Sequence, residues 1–201
     1  DIGLFYLSYG NRVGTVVKNG ATIKTNIGTS VSKGIESFVE LDIVKLFTEK
    51  SKWGTVSVYA SNAWIDAKYV KWNNPDIAND PLRSIEGKKV ENVPDFIHRF
   101  GASYHVNGFT ASWQYSSVGA VFTDASNTEA PNAIATVGKL FGYHVMDASV
   151  TYRFKEKYHI KAGVNNMEDK KYATRRASGI RGRICSTSAT PAGPRRRSPP
   201  T

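Results

Sequence analysis

The stretch around Asn107-Gly108 constrains this chain more than any other. Asn-Gly favours a type I′ turn, because both central residues need positive φ, and that turn closes a two-residue hairpin. Before it, Phe100, Ala102, Tyr104 and Val106 alternate with Arg99, Gly101, Ser103 and His105. After it, Phe109, Ala111, Trp113 and Tyr115 alternate with Thr110, Ser112, Gln114 and Ser116. A two-residue turn opposes Val106 to Phe109, Tyr104 to Ala111, Ala102 to Trp113 and Phe100 to Tyr115. Every one of these pairs falls on the apolar face. A slip of one residue would put all of them on opposite faces, so turn and pattern specify one register.

A second hairpin follows from the same logic. Met146, Ala148, Val150, Tyr152 and Phe154 alternate with polar neighbours up to Lys155-Glu156-Lys157; Tyr158, Ile160, Ala162 and Val164 alternate after it. A three-residue turn opposes Phe154 to Tyr158 and Tyr152 to Ile160. Upstream, Ile35, Val39, Leu41 and Ile43 face away from Glu36, Glu40 and Asp42, and residues 1–9 and 54–66 read as further strands.

Connection lengths then decide the architecture. Residues 45–53, 107–108 and 155–157 are short connections, whereas 10–30, 67–92, 124–143 and everything from 167 onward are long and polar. In an up-and-down meander consecutive turns fall at opposite ends, so the short turns share one end and the long loops the other. That is the layout of an all-β, antiparallel transmembrane barrel with its long loops outside the cell. A soluble sandwich or lipocalin-like barrel also alternates. Against it stand the length of strand 109–123, aromatic residues near strand ends as interfacial girdles require, and a second face too polar for a dry core. Seven strands are legible, and a sheet edge open to hydrocarbon leaves backbone groups unpaired. The chain is therefore expected to be part of a larger barrel, with strands before Asp1 and after residue 166.

Charge separates the chain into two parts. The net charge is +10 over 201 residues. Residues 178–201 carry Arg181, Arg183, Arg195, Arg196 and Arg197 with no acidic or aromatic residue, and hold Cys185, the single cysteine. Such a segment cannot bury a core and reads as disordered. The expected division is a barrel part at 1–179 and a basic Pro/Arg/Ser tail at 180–201. Arg195-Arg196-Arg197 lacks the aromatic residues of a nucleic-acid site, and no nucleic-acid partner is expected.

No catalytic constellation appears. The chain has no nucleophile elbow, and His98, His105, His144 and His159 lack metal-ligand spacing. They read as solvated wall positions, with His105 and His159 near the short turns. Trp53, Trp64, Trp72 and Trp113 read as interfacial anchors. No enzyme activity, bound metal or cofactor is expected.

Four stretches resemble the C-terminal part of TonB-dependent outer-membrane receptors, nearest the FecA-like ferric dicitrate transporters: residues 33–40 (KGIESFVE), 92–95 (NVPD), 118–124 (VGAVFTD) and 163–172 (GVNNMEDKKY), the last similar to the family's segment before its final extracellular loop. Thr174-Arg175-Arg176-Ala177-Ser178-Gly179 continues the likeness, which ends there. The resemblance implies a plugged twenty-two-stranded barrel in a Gram-negative outer membrane. It would import ferric chelates such as ferric citrate or a siderophore, coupled to TonB through an N-terminal region not contained in this sequence. Outer-membrane lipid and lipopolysaccharide are the implied surroundings; a passive porin-type barrel is the rival. A ferric citrate complex is anionic, and Arg fits carboxylates bidentately. Arg175 and Arg176 lead the candidates for ligand contact, followed by Arg83 in loop 67–92 and Lys139 in loop 124–143. The abrupt change in composition after Gly179 reads as an out-of-frame translation of the family's last loop and strand.

Overall fold

The computed structural model describes residues 1–18, 21–47, 53–72, 84–133, 135–155 and 157–176. Seven strands form one antiparallel sheet: β1 (Ile2–Lys18), β2 (Ala21–Asp42), β3 (Thr55–Lys71), β4 (Phe96–Val106), β5 (Phe109–Val118), β8 (Tyr143–Phe154) and β9 (Tyr158–Val164). The two short strands β6 (Val121–Phe122) and β7 (Lys139–Leu140) pair with each other inside the β5–β8 connection. Strand order follows chain order once that small pair is set aside, as in a meander.

The registers agree with the apolar pairing. Val106 opposes Phe109, Tyr104 opposes Ala111, Ala102 opposes Trp113 and Phe100 opposes Tyr115. Phe154 opposes Tyr158, and Tyr152 opposes Ile160. Asn107 and Gly108 have φ of 45° and 82°, the left-handed pair a type I′ turn requires. Gly108 is needed there for a second reason: a Cβ would lie 2.7 Å from the Arg153 carbonyl oxygen of the neighbouring strand.

Two connections differ from the sequence expectation. Residues 10–30 are not a loop; β1 and β2 continue as paired arms until Lys18 opposes Ala21. The signal lies in the sequence: Asn19-Gly20 is the same turn dipeptide as Asn107-Gly108, and the Thr, Val and Ile around it favour strand. Strand 109–123 also breaks at Gly119-Ala120, and Val121–Phe122 leaves the main sheet for β7. Glycines permit the bend, since a Cβ on Gly142 would lie 2.8 Å from the Val118 carbonyl oxygen.

The two faces of the sheet differ in chemistry. Odd-numbered residues of β3 share a face with Tyr69, which is fully buried beneath the β3–β4 connection, so the loops fold over that face. It is the inner wall, and it is polar. Tyr59 lies across β4 and donates a hydrogen bond to Gln114 at 2.9 Å. It can do so because Gly101, between them, lacks the Cβ that would sit 2.2 Å from the Tyr59 ring. The outer face carries Leu4, Ile35, Val39, Trp64, Phe100, Trp113, Val150 and Ile160, all exposed. Rings collect at its two ends. On the loop side His98 stacks on Phe96 at 4.8 Å and meets Trp64 at 5.2 Å; on the turn side stand Tyr152, Phe154 and Tyr158. From Phe96 to Val106 is about 33 Å of strand, or about 25 Å of height at a tilt of about 40°, the height of a barrel's lipid-facing band. On the loop side the band stops at Lys33, Asp66 and Lys68, whose charges pair at 3.8 and 3.0 Å.

Trp72 corrects an expectation. It is 7% exposed and packs with Tyr69, Ile85 and Val90 inside the loop core, not at a membrane interface. Its position follows from β3, which runs five residues past Asp66 and turns beneath its own connection.

Because the outer face meets hydrocarbon, Ala102→Arg should destabilise the complete barrel by about 2–4 kcal/mol in urea titrations from lipid vesicles. Ser112→Arg on the inner wall should cost under about 1 kcal/mol. Equal costs would contradict the facing described here.

Candidate functional site

The loop end is built on the extension of β3. Val90 donates its N–H to the Ala67 carbonyl at 3.0 Å, and Tyr69 donates to Lys88 at 3.0 Å, so the β3–β4 connection returns as a ribbon along β3. Ile85 and Val90 close over Tyr69 and Trp72, and all four are buried. The Tyr69 hydroxyl donates to the buried Glu91 carboxylate, which supplies the partner a buried hydroxyl needs.

That ribbon is tied to the β5–β8 connection. Asn127, at a φ of 52°, accepts from the Lys89 N–H at 2.7 Å and donates to the Lys89 carbonyl at 2.8 Å. Lys88 donates to the Ser126 carbonyl at 3.0 Å, and Asn92 donates its N–H to Phe122 at 2.7 Å. Asp124, fully buried, accepts from the Thr128 hydroxyl at 2.9 Å. Asp and Asn with a left-handed φ and bonds to backbone are the usual means of organising a turn without regular structure. Asp124 finds its partner four residues on, at Thr128, whereas Asn127 finds its own in Lys89, 38 residues back in the chain.

The segment after β9 completes the platform. Asn166 donates its N–H to the Asp147 carboxylate at 2.8 Å, and Tyr172 stacks on Tyr143 at 4.3 Å. Arg176 then reaches the β5–β8 connection and donates to the carbonyls of Ala135 at 3.4 Å, Gly138 at 3.4 Å and Lys139 at 3.3 Å. Arg175 beside it is exposed. Lys139 holds its ammonium 5.4 Å from the Phe122 ring centroid, a cation–π distance. Three of the four cations proposed from sequence therefore share one neighbourhood, but in different roles. Arg176 holds a loop by its carbonyls, and Arg175 points its charge into solvent. Arg83 lies outside the described residues.

The histidines divide between the faces. His98 is on the outer face and meets the Asn62 side-chain oxygen at 2.9 Å, so it is part of the girdle instead of a solvated position. His144 pairs with Glu168 at 3.4 Å. His105 and His159 face inward beside the short turns, as expected. Among the described residues no group of three or more His, Cys, Asp or Glu could hold a metal ion.

A protein-family model described as "TonB dependent receptor-like, beta-barrel" matches residues 1–167. No curated protein sequence matches the chain. Among solved structures, the ferric citrate transporter FecA in its unliganded form superposes with a TM-score of 0.69 at 22% identity, over 91% of this chain and 26% of FecA. The siderophore receptor PiuA from Acinetobacter baumannii gives 0.60 at 19% identity, over 87% of this chain and 22% of PiuA. The copper transporter OprC gives 0.58 at 17% identity, over 86% and 23%. The chain thus spans about a quarter of each of these proteins, and at these identities the likeness concerns the fold.

Arg176→Ala should free the 131–139 segment in a complete receptor and raise its cleavage by added protease several-fold. Arg175→Ala should leave that cleavage unchanged. Protection retained in Arg176→Ala would remove the clamp.

Proposed function

The chain belongs to the TonB-dependent receptor β-barrel family, and on that footing we propose that it forms part of the wall and loops of an outer-membrane importer of ferric chelates, with ferric citrate as the first ligand to test. Its matches are receptors and transporters, not enzymes. The observation that carries the ligand class is the cationic loop end, where Arg175 stands exposed beside the Arg176–Lys139 platform. A ferric citrate complex presents carboxylate oxygens, which the guanidinium fork engages with two parallel bonds. In this reading Arg175 contacts the chelate, Arg176 and Lys139 hold the loop that receives it, and Arg83 adds charge from the β3–β4 connection. The polar inner wall then offers a wet path, and work for passage comes from the TonB complex acting outside this chain. The outer face meets lipid, and the loops meet lipopolysaccharide.

Two measurements test the reading. Deleting the complete receptor from a strain with no redundant system should abolish growth on ferric citrate as sole iron source; undiminished growth would remove that ligand. Arg175→Ala should weaken chelate binding about 10–100-fold, the loss of roughly 1.5–3 kcal/mol for a charged hydrogen bond, while barrel assembly stays intact. Unaltered affinity would take Arg175 out of the site.

A further inference from the structure

The outer face changes chemistry abruptly where it leaves the lipid band, and the strand registers put that change on adjacent tiers. Leu4 opposes Ile35, Ile35 opposes Trp64 and Trp64 opposes Phe96, an apolar row across four strands. One tier nearer the loops, about 7 Å along the strand, Tyr6 opposes Lys33 and Lys33 opposes Asp66. On the next tier Lys68 opposes Lys89 of the returning β3–β4 connection. Lys33 and Lys68 meet on the Asp66 carboxylate, at 3.8 and 3.0 Å, and Lys89 pairs with Asp95.

This pairing leaves the cluster cationic and prearranged. Asp66 sits between two ammonium groups, each with three N–H donors, so it holds both lysines over one spot without neutralising them. Lys33 and Lys68 are exposed, and exposed ion pairs contribute little, so a second anion recruits these lysines without first breaking a strong bond. Directly beneath, Leu4, Ile35 and Trp64 floor a cavity of about 490 Å³ whose rim includes Lys33, Asp66 and Asp95. Lysine binds phosphate as a point charge, and its stem lies along apolar surface while its head stays in water. An apolar hollow under ammonium groups, at the edge of hydrocarbon, fits an amphiphile whose phosphate stands above its acyl chains. The placement is independent of whatever fills the lumen, which lies on the other side of the sheet. β2 and β3 have paired neighbours on both edges, so what faces their outer wall in a membrane is the outer leaflet.

We propose that Lys33, Lys68 and Lys89 form a lipopolysaccharide site on the outer wall. A glucosamine phosphate of the headgroup lies between the lysines, and an acyl chain lies in the hollow over Ile35 and Trp64. Asp66 is a positioning residue that keeps Lys33 and Lys68 together. The site rests on the outer-membrane part of the reading above and not on the chelate.

The complete receptor, extracted from outer membranes in mild detergent, tests the site by native mass spectrometry. The unaltered receptor is expected to keep bound lipopolysaccharide. A Lys33→Gln/Lys68→Gln receptor should keep several-fold less, and Lys33→Arg/Lys68→Arg should keep it. After delipidation the unaltered receptor should rebind lipid A, the acylated and phosphorylated glucosamine anchor, but neither phosphate-free lipid A nor phosphatidylglycerol at the same concentration. No lipopolysaccharide on the unaltered receptor, equal retention by the Gln variant, or equal binding of either control lipid would overturn the proposal. Because both lysines are exposed, the Gln variant should assemble; if it does not, the phosphate-free lipid decides. Cell fractionation separates the site from the reading beneath it. A receptor recovered outside the outer membrane removes both, whereas an outer-membrane receptor without bound lipopolysaccharide removes the site alone. A receptor that imports no ferric citrate yet keeps the lipid through its lysines removes the chelate and supports the site.

Discussion

Everything in this wall depends on the backbone ladder that joins β1, β2, β3, β4, β5, β8 and β9. Hydrocarbon offers no partner to an N–H or C=O, so a strand in lipid must satisfy its backbone on neighbouring strands. That requirement holds long strands in one register, and the register distributes the side chains. Once Phe100 opposes Tyr115 and Tyr115 opposes Met146, the outer face of β4, β5 and β8 is largely apolar and their inner face largely polar. The two faces then set the division of labour: one meets lipid, the other carries the lumen and its charges.

The same ladder explains where glycine is used. At two places on the inner face an aromatic side chain lies over a neighbouring strand, and each time the neighbour has no Cβ. Gly101 lets Tyr59 reach Gln114, and Gly34 lets the Phe5 ring approach, since a Cβ there would fall 2.6 Å from it. Beyond the membrane band the constraint relaxes. Water can now satisfy backbone groups, and the chain organises itself by side chain-to-backbone bonds such as those of Asn127, Asp124 and Arg176. The platform is therefore held by a few specific polar contacts, in contrast to the wall, which is held by periodic ones.

This contrast is why wall and site differ in legibility. The β4–β5 and β8–β9 hairpins could be paired residue by residue, because a period of two and a short turn leave one register. The β1–β2 arms were missed because their Val and Ile do not alternate strictly with the Thr, Asn and Lys between them: beyond the membrane band neither face of that hairpin must be greasy. The break at Gly119 was missed because Val121 and Phe122 prolong the alternation of β5 even though the chain has already turned toward β7. Trp72 was misplaced because an exposed ring at an interface and a buried ring in a loop core look identical in one dimension. Arg175 and Arg176 are neighbours with the same side chain, and only the arrival of three carbonyls around Arg176 makes one a clamp and the other a free charge.

From the sequence alone came the meander, its two principal registers, the segregation of short turns from long loops, and the family, because each rests on local periodicity or contiguous motifs. Tertiary structure alone decided which polar side chains stand together. The grouping of Arg175, Arg176 and Lys139 at one end, and of His105, Arg153 and His159 at the other, depends on strand pairings that bring residues from distant parts of the chain onto one tier. A charge in a sequence has a position and a sign; it acquires neighbours only when the ladder closes around it.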